Sequence, residues 1–550
     1  MTQVVVIGSG FAGLATALRL QARGYAVTIL EKRAKPGGRA YQLKDGGYTF
    51  DLGPSIITAP DLVDGVFAAT GVKTADYVDI VPLEPFYRIF FADGRHYDYS
   101  GDQATIEREL TKFEAGAPDS YARFMEKTGD IYRRAFADLA HKPFLSVGDF
   151  ARLVPELAKL RADRSVYQLV TDYFTDPSLR MAYSFHPLFI GGNPFRASAI
   201  YSIVPFLERK GGVHFAMGGM YALIEAFVRR FLELGGTLHC GVEVAEIEVA
   251  AASPQSQSNG RSGARMLGLP DLSGVPGLSS LPGLSGNRNG GHVRGRVRGV
   301  RASDGRRWDA SVVVSNADVV MTYAKLLRPR HRRRWTDRRI GSLNQSMSCF
   351  LLYLGIDRQY DQLLHHTIIM SARYRGLIED IFDTKILADD FSLYLHAPAK
   401  TDPSLAPPGG EALYVLAPVP NLAGATDWHT QATPFRDRLV RWLEEDFGLT
   451  GLRASIKVEH RFTPLDFKGE LNAFLGNAFS IEPTLTQSAY FRPHNRSEDV
   501  DGLYIAGAGT HPGAGLPGTL LSAEIADRLV AADVPIDARP APLTPAVPTR

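Results

Sequence analysis

The most constraining feature of the sequence is a pair of glycine-rich segments near its two ends. The first is a Gly-x-Gly-x-x-Gly pattern at Gly8, Gly10 and Gly13, directly after the apolar run Val4–Ile7. In this pattern the first glycine permits a tight turn, the second lets the backbone approach a pyrophosphate, and the third lets a helix pack on the strand. The second segment is residues 501–518. Together they predict one dinucleotide held by both ends of the folded chain, which favours a tightly bound flavin over an exchangeable nicotinamide.

The residues around the first segment predict a strand, a helix and a second strand. The helix should span residues 12–23 and stop at Gly24, and Val27–Leu30 should form the second strand. That strand ends at Glu31, 23 residues after the first glycine. An acid at this spacing accepts hydrogen bonds from a ribose; the alternative is a surface acid at a strand end. The N-terminus of the helix offers N–H groups to the phosphates.

The C-terminal segment predicts a strand over residues 503–506, a turn at Gly507-Ala508-Gly509, and a helix that begins near Leu516 or Gly518 and runs through residues 523–529. The positive end of that helix would face the N1–C2 carbonyl edge of a flavin. This edge gains negative charge on reduction, so the helix would favour the reduced form.

Two further turns are candidates for cofactor contact. Lys35–Ala40 combines a flexible backbone at Gly38 with the planar cation of Arg39, which suits a phosphate or a flavin, although a surface turn is the alternative. Phe50–Ser55 is a turn with a restricted backbone that could pass close to a ring system.

Composition limits the classes of protein to which the chain can belong. A chain of 550 residues is too long for one core, so at least two domains are expected. The net charge of +2 gives no reason to expect nucleic acid as a partner. The two cysteines exclude a disulfide framework and fit a reducing cytoplasm. The sequence shows no signal-peptide pattern and no apolar run of about 18 residues, so no spanning helix is predicted, but the protein could still lie on a membrane.

Two segments differ in character from the rest. Residues 251–291 are rich in Gly, Ser, Pro and Asn and are flanked by strand-like stretches, so we interpret them as a disordered insertion between two strands of one sheet. A binding role for this insertion is a less favoured alternative. Arg328–Arg339 carries seven arginines and Trp335. It is interpreted as the solvated basic face of a helix; contact with anionic lipid or nucleic acid is an alternative.

Apolar residues at helical spacing predict a helix over 147–160, with basic residues alongside. It could be an amphipathic helix lying on a bilayer, or an ordinary packed helix. Asp149 and Arg152, spaced i, i+3, are interpreted first as an N-cap with a surface ion pair. As an alternative they are a candidate catalytic acid–base pair.

Three stretches are shared by fewer families than a Gly-rich motif: Ser184–Phe195, Phe491–Arg496 and Gly507–Gly518. With these residues the chain resembles the bacterial-type phytoene desaturases of carotenoid biosynthesis, within the amine-oxidase-like flavoproteins. The resemblance covers nearly the whole chain except the insertion and the tail after about Val530. It implies FAD as cofactor and a C40 polyene such as phytoene as substrate, with hydride transfer to flavin N5, proton loss from the neighbouring carbon, and reoxidation by oxygen or a quinone.

A hydrocarbon substrate offers no hydrogen-bonding group, so an apolar tunnel is expected, for which Met181–Ile190, Ser198–Leu207 and Ser348–Leu354 are candidates, with ordinary core as the alternative. Because the substrate dissolves in lipid, the resemblance also implies peripheral contact with the inner face of the cell membrane. We expect no metal site, since His365-His366 lacks partner spacing and His186 is typical of a core histidine. The residues expected to bind the cofactor are Gly8, Gly10, Phe11, Ala12, Gly13, Glu31, Lys32, Gly38, Arg39, Gly53, Pro54, Ser55, Val244, Gly507, Ala508, Gly509, Gly515, Leu516, Pro517 and Gly518.

The predicted fold class is α/β, with a Rossmann-like FAD-binding domain that is discontinuous in sequence and a second, α+β substrate domain. The FAD-binding domain is assigned to residues 1–105, 215–320 and 490–550, and the substrate domain to residues 106–214 and 321–489. Alternatives on the same scaffold are a carotenoid isomerase, a ketolase or a later-step desaturase. A nonenzymatic carotenoid- or membrane-binding module is disfavoured by the intact glycine clusters, and an NAD-dependent dehydrogenase by the C-terminal segment.

Overall fold

The computed structural model describes residues 1–146, 148, 152, 154–250 and 294–536. The predicted insertion at 251–291 therefore lies outside the described residues, as does most of the first half of the helix predicted over 147–160.

A five-stranded parallel sheet is built from both ends and the middle of the chain. The N-terminal strand lies at its centre, and its valines are buried because helices cover both faces of a parallel sheet. This confirms the predicted Rossmann-like domain that is discontinuous in sequence. In spatial order the strands are Leu503–Ile505, Val312–Ser315, Gln3–Ile7, Ala26–Leu30 and Thr237–His239.

The two helices that follow the glycine-rich segments pack against each other on this sheet. Phe11–Arg23 ends at Gly24, whose φ of 104° is the left-handed conformation that favours glycine. Leu516–Asp533 begins at one of the two predicted starts. Arg23 donates to both carboxylate oxygens of the buried Asp527, at 2.7 and 2.9 Å. The chain ends are thereby joined into one domain.

A second, mixed sheet of seven strands lies beyond the first. Tyr87–Phe90 and His96–Tyr99 belong to it, although they fall inside the first segment assigned to the FAD-binding domain, 1–105. The assigned domain boundaries remain predictions. In spatial order the seven strands are Ile456–Phe462, Ser348–Ile356, Glu411–Val419, Leu393–His396, His366–Ile369, Tyr87–Phe90 and His96–Tyr99.

The strands that flank the predicted insertion are paired as expected. Val244–Ala250 runs antiparallel to Gly295–Ala302, which also pairs with Arg307–Asp309 and Val500–Asp501. The insertion therefore joins two neighbouring strands of one sheet. Two smaller sheets pair Gln42–Asp45 with Tyr48–Asp51 and Ile80–Leu83 with Val213–Ala216.

The other α-helices in the described part of the chain cover the sheets or line the space between them. They are Pro60–Ala68, Gln103–Thr111, Ala117–Ile131, Val154–Lys159, Val166–Val170, Pro177–Ser184, Ile203–Gly211, Met220–Glu233, Val319–Met321, Asp337–Gly341, Tyr374–Glu379, Trp428–Glu445, Leu452–Ser455 and Pro464–Leu471.

The arginine-rich segment 328–339 is not the single solvated helix face that was predicted. It contains a short 3-10 turn, Pro329–His331, and only the start of the helix Asp337–Gly341. Trp335 is 1% exposed and its indole N–H donates to Glu498 at 2.8 Å. The backbone N–H groups of Arg333, Arg334 and Trp335 donate to the carboxylate of Asp499. Charge density alone suggested a surface, but acids from the C-terminal segment pair with these donors and let the tryptophan be buried.

Replacing the buried tryptophan should therefore destabilise the protein, whereas replacing an adjacent exposed arginine should not. Trp335→Ala is expected to lower the free energy of unfolding by about 3–5 kcal/mol, because it leaves a cavity and removes the indole hydrogen bond to Glu498. Arg333→Ala, whose side chain is exposed, is the matched control and should change it by less than about 0.5 kcal/mol. Urea unfolding followed by circular dichroism measures both, and equal stability of the two variants would contradict the packing described.

Candidate functional site

One large cavity, of about 590 Å³, lies between the carboxyl edge of the parallel sheet and the seven-stranded sheet. Ile7 and Leu30, at the ends of two parallel strands, lie on one side of it, and Leu351 and Tyr414 of the mixed sheet lie on another. Ligands of open parallel sheets bind at this edge. The lining is mostly apolar.

The cavity brings together the residues predicted to bind the cofactor, although they come from distant parts of the sequence. All of them except Gly13 lie on its wall: Gly8, Gly10, Phe11, Ala12, Glu31, Lys32, Gly38, Arg39, Gly53, Pro54, Ser55, Val244, Gly507, Ala508, Gly509, Gly515, Leu516, Pro517 and Gly518. Their assignment as cofactor contacts remains a prediction.

Two helix N-termini open into this cavity without a side-chain cap. Gly10 precedes the helix Phe11–Arg23 and Gly515 precedes Leu516–Asp533, and neither helix has a side-chain hydrogen bond at its N-terminus. The first N–H groups of a helix need partners, and the positive end of a helix attracts an anion or an electron-rich carbonyl. The arrangement fits a cofactor with phosphates at one helix and an electron-rich ring edge at the other.

The glycines of the first turn, and Gly53, lie where a side chain would clash with neighbouring atoms. A Cβ on Gly10 would lie 2.9 Å from the Asn316 amide oxygen, and a Cβ on Gly13 would lie 2.3 Å from the Gly8 carbonyl oxygen. At Gly53 a Cβ would lie 2.1 Å from the Arg39 carbonyl oxygen. Close approach of the Asn316 side chain at Gly10, and of backbone carbonyls at Gly13 and Gly53, therefore explains glycine at these positions.

Glu31 lies at the end of its strand, is 5% exposed and faces the cavity. One carboxylate oxygen accepts from the backbone N–H of Ser9 at 2.9 Å and from the Ser9 hydroxyl at 2.5 Å, and the other accepts from the N–H of Arg33 at 2.9 Å. These bonds fix the carboxylate beside the turn that carries Gly8 and Gly10. Its remaining acceptor capacity suits a ribose hydroxyl.

Arg39 is the cation on the cavity wall that is best suited to bind a phosphate or a flavin. Its guanidinium makes one long bond, 3.5 Å, to the carbonyl of Asn477, and its buried Nε has no partner among the described residues. Burial lowers the pKa of Arg39, opposed by the charge of Asp318. An incompletely paired guanidinium on the cavity wall fits an anionic or carbonyl-bearing ligand.

Asn316 is a structural residue of the site whose role the sequence did not show. Its amide nitrogen donates to the carbonyl of Ala506 at 2.8 Å, and its backbone N–H donates to Ile7 at 2.8 Å. Asn316 therefore joins the middle of the chain to both glycine-rich segments.

The predicted tunnel stretches line the apolar part of the same cavity. Each contributes part of its length to the wall: Phe185, Leu188, Phe189 and Ile190 from the first; Ser198, Ile200, Tyr201, Ile203, Val204 and Leu207 from the second; Cys349 and Leu351 from the third. Phe136 and Leu139, from the segment after the helix Ala117–Ile131, close another side and are half-buried. Burial raises the pKa of the Cys349 thiol well above its usual range, whereas the other cysteine, Cys240, is exposed.

A buried polar cluster interrupts the apolar wall. Tyr87 donates to a carboxylate oxygen of Glu208 at 2.8 Å and lies 2.9 Å from Nε2 of His186. Glu208 lies directly after the second predicted stretch and was missed, because an acid at the end of an amphipathic helix normally faces solvent. His186 is buried, as expected, but it belongs to this cluster.

Three histidines lie together on adjacent strands, where the sequence suggested only the pair His365-His366. Nε2 of His365 and Nε2 of His396 are 3.1 Å apart, and the ligand nitrogens of all three lie within 4.8 Å of one another. Burial lowers the pKa of each below its ordinary value, to about 3 for His365. The group could hold a metal ion. Because His365 and His396 lie within hydrogen-bonding distance of each other, and Nδ1 of His366 lies 2.8 Å from the Tyr394 hydroxyl, we interpret the group as a hydrogen-bonded network.

The candidate catalytic pair is not brought to the cavity by the described part of the chain. Asp149 lies outside the described residues, and Arg152 is exposed and is not among the described residues that line the cavity. Their role as an acid–base pair stays a prediction.

Comparison with known proteins agrees with this geometry. The family model "Flavin containing amine oxidoreductase" matches residues 11–262 and 290–530. A phytoene desaturase (lycopene-forming) of Pseudescherichia vulneris is 44% identical over 537 residues, which cover 97% of this chain and 100% of that protein. The chain belongs to the bacterial phytoene desaturases. A neurosporene-forming phytoene desaturase of Rhodobacter capsulatus is 40% identical, with 99% of this chain and 96% of that protein covered.

Solved structures show the same fold at much lower identity. An oxidoreductase from Methanosarcina mazei has a TM-score of 0.59 and 18% identity, and covers 95% of this chain and 98% of its own. Membership of the flavin-containing family implies FAD as the cofactor of this phytoene desaturase. The uncapped helices, the glycine turns, Glu31 and Arg39 provide a cradle that fits FAD.

Removal of the Glu31 carboxylate should weaken retention of FAD. Glu31→Ala is expected to lower FAD affinity about 10- to 100-fold, because a charge-assisted hydrogen bond contributes about 1.5–3 kcal/mol. Flavin absorbance per polypeptide after gel filtration measures this effect. Glu225→Ala, which changes an exposed acid on the helix Met220–Glu233, is the control and should keep its flavin. Unchanged occupancy in Glu31→Ala would remove the ribose assignment.

Proposed function

We propose that the protein catalyses FAD-dependent desaturation of phytoene towards lycopene. The observation that carries the proposal is the continuity of one cavity from a dinucleotide cradle into a long apolar space. An apolar space without hydrogen-bonding groups along most of its length suits a hydrocarbon. Relatives named as phytoene desaturases, at up to 44% identity, support the choice of substrate.

FAD, when bound, supplies the acceptor for the two electrons and the hydrogen that leave the substrate as hydride. The protein's own residues position and shield the reacting groups. Leu188, Phe189 and Leu351 exclude water from the substrate, and the N-terminus of the helix Leu516–Asp533 offers a positive field to the adjoining ring system. Oxygen or a quinone is proposed as the final electron acceptor.

The number of desaturation steps is inferred from the products named for the relatives. Among the relatives, the Pseudescherichia vulneris protein is named lycopene-forming and the Rhodobacter capsulatus protein neurosporene-forming. We favour lycopene as the product, because the lycopene-forming relative is the more similar of the two. Another carotenoid-modifying flavoenzyme, such as an isomerase, a ketolase or a later-step desaturase, is the alternative on this scaffold.

Peripheral contact with a membrane surface is also proposed. None of the described helices is long and apolar enough to cross a membrane. Phe136 and Leu139 are half-buried residues of the cavity wall. They lie beside the exposed cations Arg133 and Arg134. A half-exposed apolar wall next to basic residues suits uptake of a lipid-dissolved substrate from an anionic bilayer.

Expression in cells that accumulate phytoene tests the proposed reaction. Such cells are expected to turn red, with lycopene identified by chromatography and absorbance spectra. Gly13→Val, which places a side chain against the Gly8 carbonyl oxygen, is the flavin-deficient control and should leave phytoene colourless. Unchanged phytoene in cells that contain the folded, yellow wild-type protein would favour the alternative activities.

If the surface around Arg133 and Arg134 contacts the membrane, reversing charge there should weaken vesicle binding, whereas reversing charge elsewhere should not. Arg133→Glu combined with Arg134→Glu should reduce binding to anionic vesicles by about tenfold or more, because each basic residue near such a surface contributes about 1 kcal/mol. Arg306→Glu combined with Arg307→Glu is the matched control: Arg133 and Arg134 are exposed and paired with Asp130 and Glu156, and Arg306 and Arg307 are likewise exposed and paired with acids. Vesicle flotation measures both. Equal loss in the two double variants would contradict the proposed contact surface.

A further inference from the structure

Glu208 is a fully buried acid on the apolar part of the cavity wall. It lies on the helix Ile203–Gly211, is 0% exposed, and has Val204 and Leu207 as neighbours along the same wall. Phe185 and Leu188 line the cavity as well. Burial of a carboxylate among such groups is unfavourable unless the carboxylate is paired.

Only one of the two carboxylate oxygens of Glu208 is satisfied. Oε2 accepts the hydroxyl of Tyr87 at 2.8 Å and lies 3.4 Å from Nε2 of His186. Oε1 is buried and has no hydrogen-bond partner among the described residues. A buried oxygen without a partner calls for a chemical reason.

The other acids on the cavity wall do not share this condition. Glu31 is bonded to Ser9 and Arg33, Asp318 caps the helix Val319–Met321, and Glu243 and Glu470 are paired with Asn472 and Arg33. Of these acids, Glu31 lies at a strand end beside the glycine turn, and Glu470 lies in the helix Pro464–Leu471. Glu208 instead comes from the apolar wall assigned to the substrate.

A chain of hydrogen bonds holds Glu208 in place. Tyr87 is buried and stacked on Tyr99, with ring centroids 4.8 Å apart and planes at 10°. Burial, and then the charge of Glu208, raise the pKa of Tyr87 well above its ordinary value, so that its hydroxyl stays protonated and donates. If Tyr87 donates to Glu208, then Nε2 of His186 donates to Tyr87. The cluster thus fixes Oε2 and leaves Oε1 as a free acceptor.

A hydrocarbon substrate cannot use this oxygen for binding, because it has no group that donates a conventional hydrogen bond. Desaturation does, however, release a proton inside the cavity. A general base must lie in the same space as the carbon that loses the proton. Glu208 has the chemistry, the burial and the unsatisfied oxygen for that task.

We propose that Glu208 is the catalytic base that accepts the proton during desaturation. The inference rests on the proposed function and deepens it. Hydride, with both electrons of one C–H bond, leaves a carbon beside an existing double bond for the bound flavin, and an allylic cation remains on the substrate. A proton then leaves the adjacent carbon for Oε1 of Glu208. The electron pair of that second C–H bond becomes the new double bond, and Glu208 becomes a neutral acid that returns its proton to water between turnovers.

The test compares Glu208→Gln with Glu411→Gln. Glu411 is also a buried acid with one unpaired oxygen, and it is not among the residues that line the cavity, so its variant controls for placing an amide in the interior. Glu208→Gln should keep its FAD content and its affinity for phytoene while kcat falls about 10²- to 10⁴-fold, the usual effect of losing a general base. Glu411→Gln should retain kcat.

Two readouts separate a base from a merely structural acid. Phytoene deuterated at the carbon that loses the proton should show a larger isotope effect with Glu208→Gln, because proton loss becomes slower. Infrared difference spectra of a single turnover should show a protonated carboxyl band in the wild type that is absent in Glu208→Gln. Tyr87→Phe, which changes a positioning residue, should shift that band and lower kcat less.

Each outcome decides the question. Normal kcat in Glu208→Gln, or loss of kcat without a change in the isotope effect or the infrared band, overturns the role of Glu208 while the proposed function stands. A wild-type enzyme that binds FAD and leaves phytoene unchanged overturns the proposed function and this inference with it. Should Glu208→Gln fail to fold, Glu208→Asp, which keeps an acid but shortens its reach, takes its place. It should then show the same rise in isotope effect, and a normal isotope effect with full kcat would overturn the role.

Discussion

The position of Asn316 is the constraint on which the site depends. Its backbone donates to Ile7 in the strand that starts the chain, and its side chain donates to Ala506, directly after the strand Leu503–Ile505. Its amide oxygen would lie only 2.9 Å from a Cβ on Gly10 or on Gly13. One residue of the middle segment therefore determines how closely the two glycine-rich turns approach each other. The cradle exists only when all three segments are assembled.

Local patterns predicted the parts of the fold that local forces determine. The first strand, helix and second strand, and the helix Leu516–Asp533, follow from apolar runs, glycine stops and spacing to Glu31. The arginine-rich segment was predicted wrongly, because burial of Trp335 depends on acids more than 160 residues away. His396 and Glu208 could not be assigned for the same reason. Their surroundings come from neighbouring strands and helices, and a single sequence does not show which of these meet.

The cavity joins two kinds of environment without a wall between them. Its cradle end has helix N-termini, turns and charged residues, which suit phosphates and a ribose. The rest of its lining is mostly apolar, with Glu208 as an exception. Two buried tyrosines lie in hydrogen-bonded groups at or behind this wall: Tyr87 is bonded to His186, and Tyr394, which lines the cavity, is bonded to Ser55 and His366. Polar groups in such a wall are costly to bury, so they indicate positions with a role in chemistry as well as in substrate binding.

The two cysteines differ in a way that is useful beyond catalysis. Cys349 lies in the cavity wall, and burial keeps its thiol protonated and unreactive. Cys240 is exposed at the surface; partial burial of its thiol, and then the charge of the nearby Glu31, raise its pKa. A thiol-directed fluorophore would therefore attach at one place, next to the ribose end of the cradle. The chain thus carries a built-in position for an optical reporter of cofactor loading, which needs no added cysteine.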